Sequence, residues 1–522
     1  MFIINIIGFI LVLGLVILIH ELGHFIMAKR AGILCHEFAI GMGPIVYSKR
    51  KGETLYSVRA IPIGGFVMMA GEEVDSEILK KGQEIRFTKN KSGKIDQIIL
   101  DVENDKYQDA ERITVETFDL KGKNHEPLMI NEHDVSRKAH YITSKKKLQI
   151  APYNRSFESK SLGARFLAIF SGPFMNFVLA FILFVLLAFF IGFPKETDAQ
   201  GSITTVIGRV QEGTPAEGKI EVGDKLIRVD GVNVEDHWQE FTEVVAQDRG
   251  NRNLEIRLHR GDWRNHPDTT FERIDVTITP IIHIFNIGVS SHEEAGEDLI
   301  IGPVQSNTPA RNAGLRGGDE ITKINDQSME SWRNVVSYIE NNLDKDVLSV
   351  QVLRDGSHYT FDVEPHSKEI LDSQNVAPVQ NTIGVAPEHE FMFLRSFSRA
   401  GGNVVDSSTM IFDTLRLLFS DAVGIGDLAG PVGIYSITTS ALQQGLFTLM
   451  QWVALLSVNL GILNLLPVPA LDGGRLVFLG YEAVTRRKVN KTVENYLHLI
   501  MFFLLIALIL YVTYNDILRL FN

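Results

Sequence analysis

The chain has 522 residues, 45% of them hydrophobic, a net charge of −12 and a single cysteine. That length exceeds one ordinary domain, and one cysteine excludes both an intramolecular disulfide and a zinc site made of several thiolates. The acidic balance, without a basic patch carrying interleaved aromatics, excludes a nucleic-acid binder. The distribution is uneven: Lys195–Glu390 carries an acidic surplus large enough to account for all of the charge, and apolar runs gather at both ends of the chain. Cys35 reads as a small apolar residue.

Phe2–Ile19 is apolar apart from Asn5, and Phe25–Ala28 continues the run up to Lys29-Arg30. At about 1.5 Å per residue the stretch is long enough to span a bilayer core of about 30 Å. It lacks a basic leading region and a small-residue cleavage site, so it reads as a span and not as a removable signal peptide. Inside it stands His20-Glu21-Leu22-Gly23-His24. Histidines at i and i+4 share one helix face, where one tetrahedral zinc ion can accept both imidazoles. Glu21 lies about 100° round the helix, placed to act as a base on water at the metal without ligating. An acidic residue in mid-span costs roughly 2.5–3.5 kcal/mol, which argues against a chance match.

Residues 31–71 contain Gly41-Met42-Gly43-Pro44 and Gly64-Gly65 among β-branched residues. They predict a β-hairpin of short strands, either dipping toward the site or lying in the cytosol. Residues 72–160 read as a small polar insert with β-like runs, in which His125, His133 and His140 are scattered and solvated. Residues 161–194 form a second span, with Ser171-Gly172-Pro173 and Asn176 at its entry and a wholly apolar body from Phe177 to Phe190.

An internal repeat follows. Thr214-Pro215-Ala216 recurs as Thr308-Pro309-Ala310, Gly223-Asp224 as Gly318-Asp319, and Trp238 as Trp332. The near-constant offset marks a duplicated domain, at 201–280 and 290–366. Each copy runs strand, turn, Gly-Asp, strand, helix, strand, and resembles the PDZ domain, a module that captures extended peptides by strand addition.

In 391–446, Ile411, Phe412, Leu415, Leu418 and Phe419 share a helical face. This segment predicts an amphipathic helix, on the membrane surface or packed on the soluble domain, and Gly430-Pro431-Val432-Gly433 predicts a turn. Residues 447–474 form a third span holding Asn459 and Asn464 and ending in Leu465-Leu466-Pro467-Val468-Pro469-Ala470-Leu471-Asp472-Gly473-Gly474. The prolines and glycines around Asp472 predict a broken helix, tolerated at membrane depth where it lines a cavity. Residues 475–496 read as a basic cytoplasmic loop and 497–514 as a fourth span.

Positive residues flank inner span ends, so Lys29, Arg30, Arg50 and Lys51 place the end of span one in the cytoplasm. Span two then runs outward and leaves the acidic repeat outside; span three returns, and Asp472 arrives near the inner surface. His20, about 18 helical residues or roughly 27 Å along span one, falls at similar depth. Asp472 is then either the third ligand of an open zinc site or the cap of a broken helix.

Together these residues resemble the site-2 protease family of intramembrane zinc metalloproteases. His20-Glu21-x-x-His24 matches its first motif, and Asn464-x-x-Pro467-x-x-x-x-Asp472-Gly473 its second. Gly172-Pro173 with Asn176, the hairpin and the PDZ-like pair are similar to the bacterial branch that cleaves anti-sigma factors. The longer insert is similar to Gram-positive members, and the two repeat copies to proteobacterial ones. The resemblance implies a polytopic α-helical protein of the bacterial inner membrane, with four spans, a membrane-associated β-hairpin and two extracytoplasmic PDZ-like domains. It implies zinc on His20, His24 and Asp472, Glu21 as general base, and Asn459 and Asn464 on the substrate backbone. It further implies a hairpin edge that pairs with an unwound substrate helix. Implied substrates are single-pass membrane proteins such as anti-sigma factors or signal-peptide remnants, admitted by the PDZ-like pair once trimmed outside. Two other classes compete: a scaffold with a structural metal, whose site four protein ligands would close, and a metal transporter, which zinc flux into proteoliposomes would reveal.

Overall fold

The computed structural model describes residues 2–72, 78–123, 126–143, 147–197, 201–247, 253–261, 271–292, 298–304, 308–368, 371, 376–418 and 428–521. The chain divides into two compact units: residues 1–184 with 434–509, and residues 185–433 with 510–522. His125 and Phe419 lie outside the described residues.

Among the described residues, four helices are long and apolar enough to cross a membrane, over Ile3–Arg30, Leu162–Ile191, Leu446–Leu465 and Thr492–Leu518. They belong to helices α1 (Phe2–Arg30), α2 (Leu162–Ile191), α7 (Leu446–Leu465) and α9 (Lys491–Phe521). In the first unit, Val12 and Val16 of α1 pack on Val453 of α7, with Leu179 and Leu183 of α2 against them. On α9, Leu499, Ile500 and Phe503 stay exposed, as side chains on a lipid-facing helix do.

The third span ends sooner than the sequence predicts. Leu466 leaves the helical region (φ −59, ψ 143), because the residue before Pro467 is driven toward extended backbone. Ala470 adopts φ 82, and its N–H donates to His498 Nδ1 on α9 at 2.8 Å. Asp472 then opens helix α8 (Asp472–Thr485), where a loop was expected. The glycines beside it do not break a helix; they admit close carbonyls in its first turn. A Cβ on Gly473 would sit 2.1 Å from the Leu466 carbonyl oxygen, and one on Gly474 2.5 Å from that of Val468. Leu476 and Leu479 bury the apolar side of α8 in a cluster with Ala28, Cys35 and Ile169. Arg165 of α2 holds Glu482 of α8 through two hydrogen bonds of 2.7 and 3.0 Å.

The hairpin region is not a set of short strands but two long ones, β1 (Cys35–Lys51) and β2 (Thr54–Met69). Gly41, Gly43 and Gly64 take φ values of 84, 83 and 84, a region glycine enters freely, and the strands curl there. Ala39 consequently pairs with Phe66 on one side and Ser57 on the other, and Ile40 with Gly65 and Val58. Residues 65–69 form an outer edge, since among the described residues the sheet contains no strand beyond β1 and β2. The insert forms a separate sheet over a core that includes Ile85, Phe87, Ile98, Leu128 and Val135. Its His133 and His140 are half-buried, not solvated; His133 packs against the ring of Phe87, and burial lowers the pKa of His140.

The second unit carries the repeat. Each copy has a four-stranded sheet of the same order and one helix opened by the repeated tryptophan, α3 (Trp238–Gln247) and α4 (Trp332–Glu340). The repeated aspartates are buried at equivalent turns. Asp224 accepts from Arg260 and the Glu221 N–H, and Asp319 from Arg354 and the Arg316 N–H.

The copies are nested, which the limits 201–280 and 290–366 do not capture. Ala310 N–H donates to Ile287 O in the second copy, but the equivalent Ala216 N–H donates to Ile383 O, beyond that copy. Residues 385–387 pair with 207–210, and Ile383 joins the core of the first copy, so that copy is built from segments on both sides of the second in the chain. Ile383→Ala is therefore expected to destabilise the first copy by about 2–5 kcal/mol. Hydrogen exchange should show lost protection at Lys225–Val229 with Glu320–Ile324 unchanged.

Helix α5 (Phe393–Leu418) buries only Ser396 and Ala400 among its described side chains, and Phe412 is exposed. Pro431–Gly433 form not a turn but the start of helix α6 (Pro431–Gln444), since proline suits a first helical position.

Candidate metal centre and active-site cavity

His20 and His24 are each 7% exposed, one helical turn apart and turned to α2. His24 Nδ1 donates to the Ala168 carbonyl oxygen at 2.9 Å, which leaves an Nε2 lone pair on the neutral ring. His20 Nδ1 lies 3.2 Å from the Asn176 side-chain amide. The two helices meet closely. A Cβ on Gly23 would sit 2.1 Å from Ser171 O, and one on Gly172 would sit 2.2 Å from His24 Nε2.

The break after α7 and the start of α8 bring Asp472 to the same point. Its Oδ2 lies 3.2 Å from His20 Nε2 and 3.3 Å from His24 Nε2, and the two Nε2 atoms are 3.2 Å apart. Three lone-pair atoms converge, and the buried carboxylate oxygen has no hydrogen-bond partner among the described residues. Tetrahedral zinc holds N and O donors at about 2.0–2.1 Å, and such a tetrahedron has edges of about 3.3–3.4 Å. The triangle fits that ion. Among the described residues these three form the one cluster of metal-binding side chains.

The triangle opens on a cavity of about 630 Å³ that also takes Glu21, Asn464, Arg475 and residues 65–72 in its wall. Arg475 pairs with Glu72 there. Glu21 presses on the strand edge, where a Cβ on Gly65 would meet its Cγ at 2.9 Å. Asn464 donates to Leu460 O within α7 and faces the cavity, whereas Asn459 is half-buried and does not line it. Sequence reasoning assigned no role to Ala168, Gly172 or Asn176, and it named a hairpin edge for the substrate without locating that edge at 65–69. The available signal was the i, i+4 spacing of Gly172 and Asn176, which mirrors that of the two histidines.

Four apolar helices, a two-strand curled sheet and a buried imidazole–imidazole–carboxylate triangle define a membrane protein with a candidate zinc centre opening on a cavity. The profile of Peptidase family M50 matches residues 8–508, and the chain belongs to that family. It is 33% identical to the zinc metalloprotease RasP of Oceanobacillus iheyensis, over 99% of each chain. It is 32% identical to the regulator of sigma-W protease RasP of Bacillus subtilis, over the full length of both. The RasP of Geobacillus kaustophilus is 31% identical over 99% of this chain and 98% of its own. The chain is thus a membrane metalloprotease of the site-2 type.

Proposed function

We propose that this protease hydrolyses peptide bonds within transmembrane segments of single-pass proteins, with His20, His24 and Asp472 holding zinc and Glu21 acting as general base. The donor triangle, with edges of 3.2–3.3 Å, carries the reading. It supplies three protein ligands, the number of a catalytic site, where a structural site is closed by four. Zinc so held supplies Lewis acidity and lowers the pKa of water toward about 7.

The chain's own residues do the rest. A helical substrate hides its peptide bonds in i→i−4 hydrogen bonds, so it must be locally extended before attack. The 65–69 edge offers an unpaired row of backbone donors and acceptors on the cavity wall, suited to a substrate strand, and Asn464 adds a side-chain amide. Glu21 takes the proton from the attacking water and returns it to the leaving amine. By basic-residue placement the site lies toward the cytoplasm of an inner membrane. Anti-sigma factors and signal-peptide remnants are the substrate class the family implies, and the repeat copies act as PDZ-like filters on them. The exposed face of α5 supports a place at the membrane surface.

Asp472→Asn tests the ligand set, because a neutral amide is a poor zinc ligand. Zinc affinity, measured by chelator competition on the full-length protein, is expected to fall at least tenfold. Unchanged affinity and stoichiometry would count against Asp472 as a ligand.

A further inference from the structure

We propose that Asn176 is the positioning residue for His20: its side-chain carbonyl accepts the imidazole Nδ1–H and keeps Nε2 presented to the metal. The inference rests on His20 being a ligand. Asn176 is fully buried on α2, immediately before the wholly apolar body of a membrane span. An amide there needs partners, because lipid and packed side chains offer none. Its Nδ2 lies 3.2 Å from His20 Nδ1, while its Oδ1 is buried with no partner among the described residues.

With Nδ2 toward the ring, Nδ1 must accept. The proton of the neutral imidazole then sits on Nε2, between the ring and Asp472, where it blocks metal ligation. A half-turn of the amide exchanges its oxygen and nitrogen. The orphaned oxygen then gains a donor, the ring takes the Nδ1–H tautomer, and Nε2 keeps its lone pair. One rotation gives the oxygen a donor and meets the requirement of the metal, at the cost of moving Nδ2 to the place the oxygen had held.

The neighbouring histidine already has this arrangement. His24 Nδ1 donates to Ala168 O at 2.9 Å. Helix α2 thereby holds both outer ring nitrogens, one through a backbone carbonyl and one through a side-chain carbonyl. The Asn176 backbone is itself fixed: Ser457 Oγ of α7 donates to its carbonyl at 2.8 Å. Outer partners of this kind orient metal-binding imidazoles and raise their basicity.

Full-length protein in detergent carrying Asn176→Leu, which keeps size but loses the acceptor, is compared with Asn176→Asp, which keeps an acceptor. Zinc affinity is measured by chelator competition, and the Co2+-substituted absorption bands report ligand geometry. The Leu variant should bind zinc about 10–100-fold more weakly with shifted Co2+ bands, and the Asp variant should match or exceed wild type. Asn176→Ala carries the same expectation as Leu and replaces it if the larger side chain prevents folding, judged by helix content. Wild-type affinity and an unshifted spectrum in the Leu or Ala variant would overturn the proposal. His20→Ala separates the two readings: if it binds zinc as wild type does, the ligand assignment fails and the inference falls with it.

Discussion

Glu21→Gln is expected to keep zinc at wild-type stoichiometry and to lower cleavage of a single-pass substrate by about 10²–10⁴-fold. Glutamine has the size and nearly the hydrogen-bonding shape of the carboxylate, but it cannot take a proton. Glu21 is not a member of the donor triangle; it lines the cavity beyond it, against Gly65 on the strand edge. Removing its basicity therefore leaves the metal site intact and removes the group that receives the proton of the attacking water. Co-expression with a panel of single-pass proteins and signal-peptide remnants, wild type beside the variant, gives the substrate and the test together. Full activity in the variant would remove Glu21 from the mechanism. Loss of zinc along with activity would make it part of the metal site instead.

Two kinds of geometry in this site could be read from sequence: that set inside a single element, and that set by depth in a bilayer. His20, Glu21 and His24 are fixed by the pitch of one helix. Asp472 was reachable because a bilayer allows only a few depths, and counting spans put it level with His20. What escaped depends on contacts between elements. That Gly172 and Asn176 face the two imidazoles follows from α2 packing on α1, which apolar composition does not specify. The glycines after Asp472 look like helix breakers locally, yet they are required because loop carbonyls fold back onto the first turn of α8. Strands β1 and β2 read as short pieces because glycine normally ends a strand, whereas here it bends them.

The repeat gives the same lesson at larger scale. Thr214 and Thr308 occupy equivalent places, and each packs so tightly on a glycine that a Cβ there would clash, Gly384 in one case and Gly288 in the other. Sequence spacing alone assigned each copy a continuous segment. The pairing of Ala216 with Ile383 shows that chain order and domain order differ.

Gly172→Ala adds one methyl group to α2, and it is expected to reduce zinc binding and to lower cleavage by about 10²-fold or more. Helix propensity alone predicts the opposite sign, since alanine is favoured over glycine in a helix by about 0.8–1.0 kcal/mol. The steric consequence decides the outcome. The new Cβ would sit 2.2 Å from His24 Nε2 and 2.4 Å from Cε1, where non-bonded carbon contacts need about 3.5 Å. The ring must yield by roughly 1 Å, against a tolerance of about 0.2 Å for a metal ligand. It cannot yield without cost, because its Nδ1 is held by Ala168 O at 2.9 Å. The α2 backbone is held in turn by Ser457. Gly163→Ala, in the same helix, is the control: nothing lies within 4 Å of a Cβ built there, so zinc content and activity should match wild type while the helix gains slightly. Equal zinc content and activity in the two variants would mean that α2 does not press on the imidazole, and that the fit between the two helices is looser than the close approach of Gly23 to Ser171 implies.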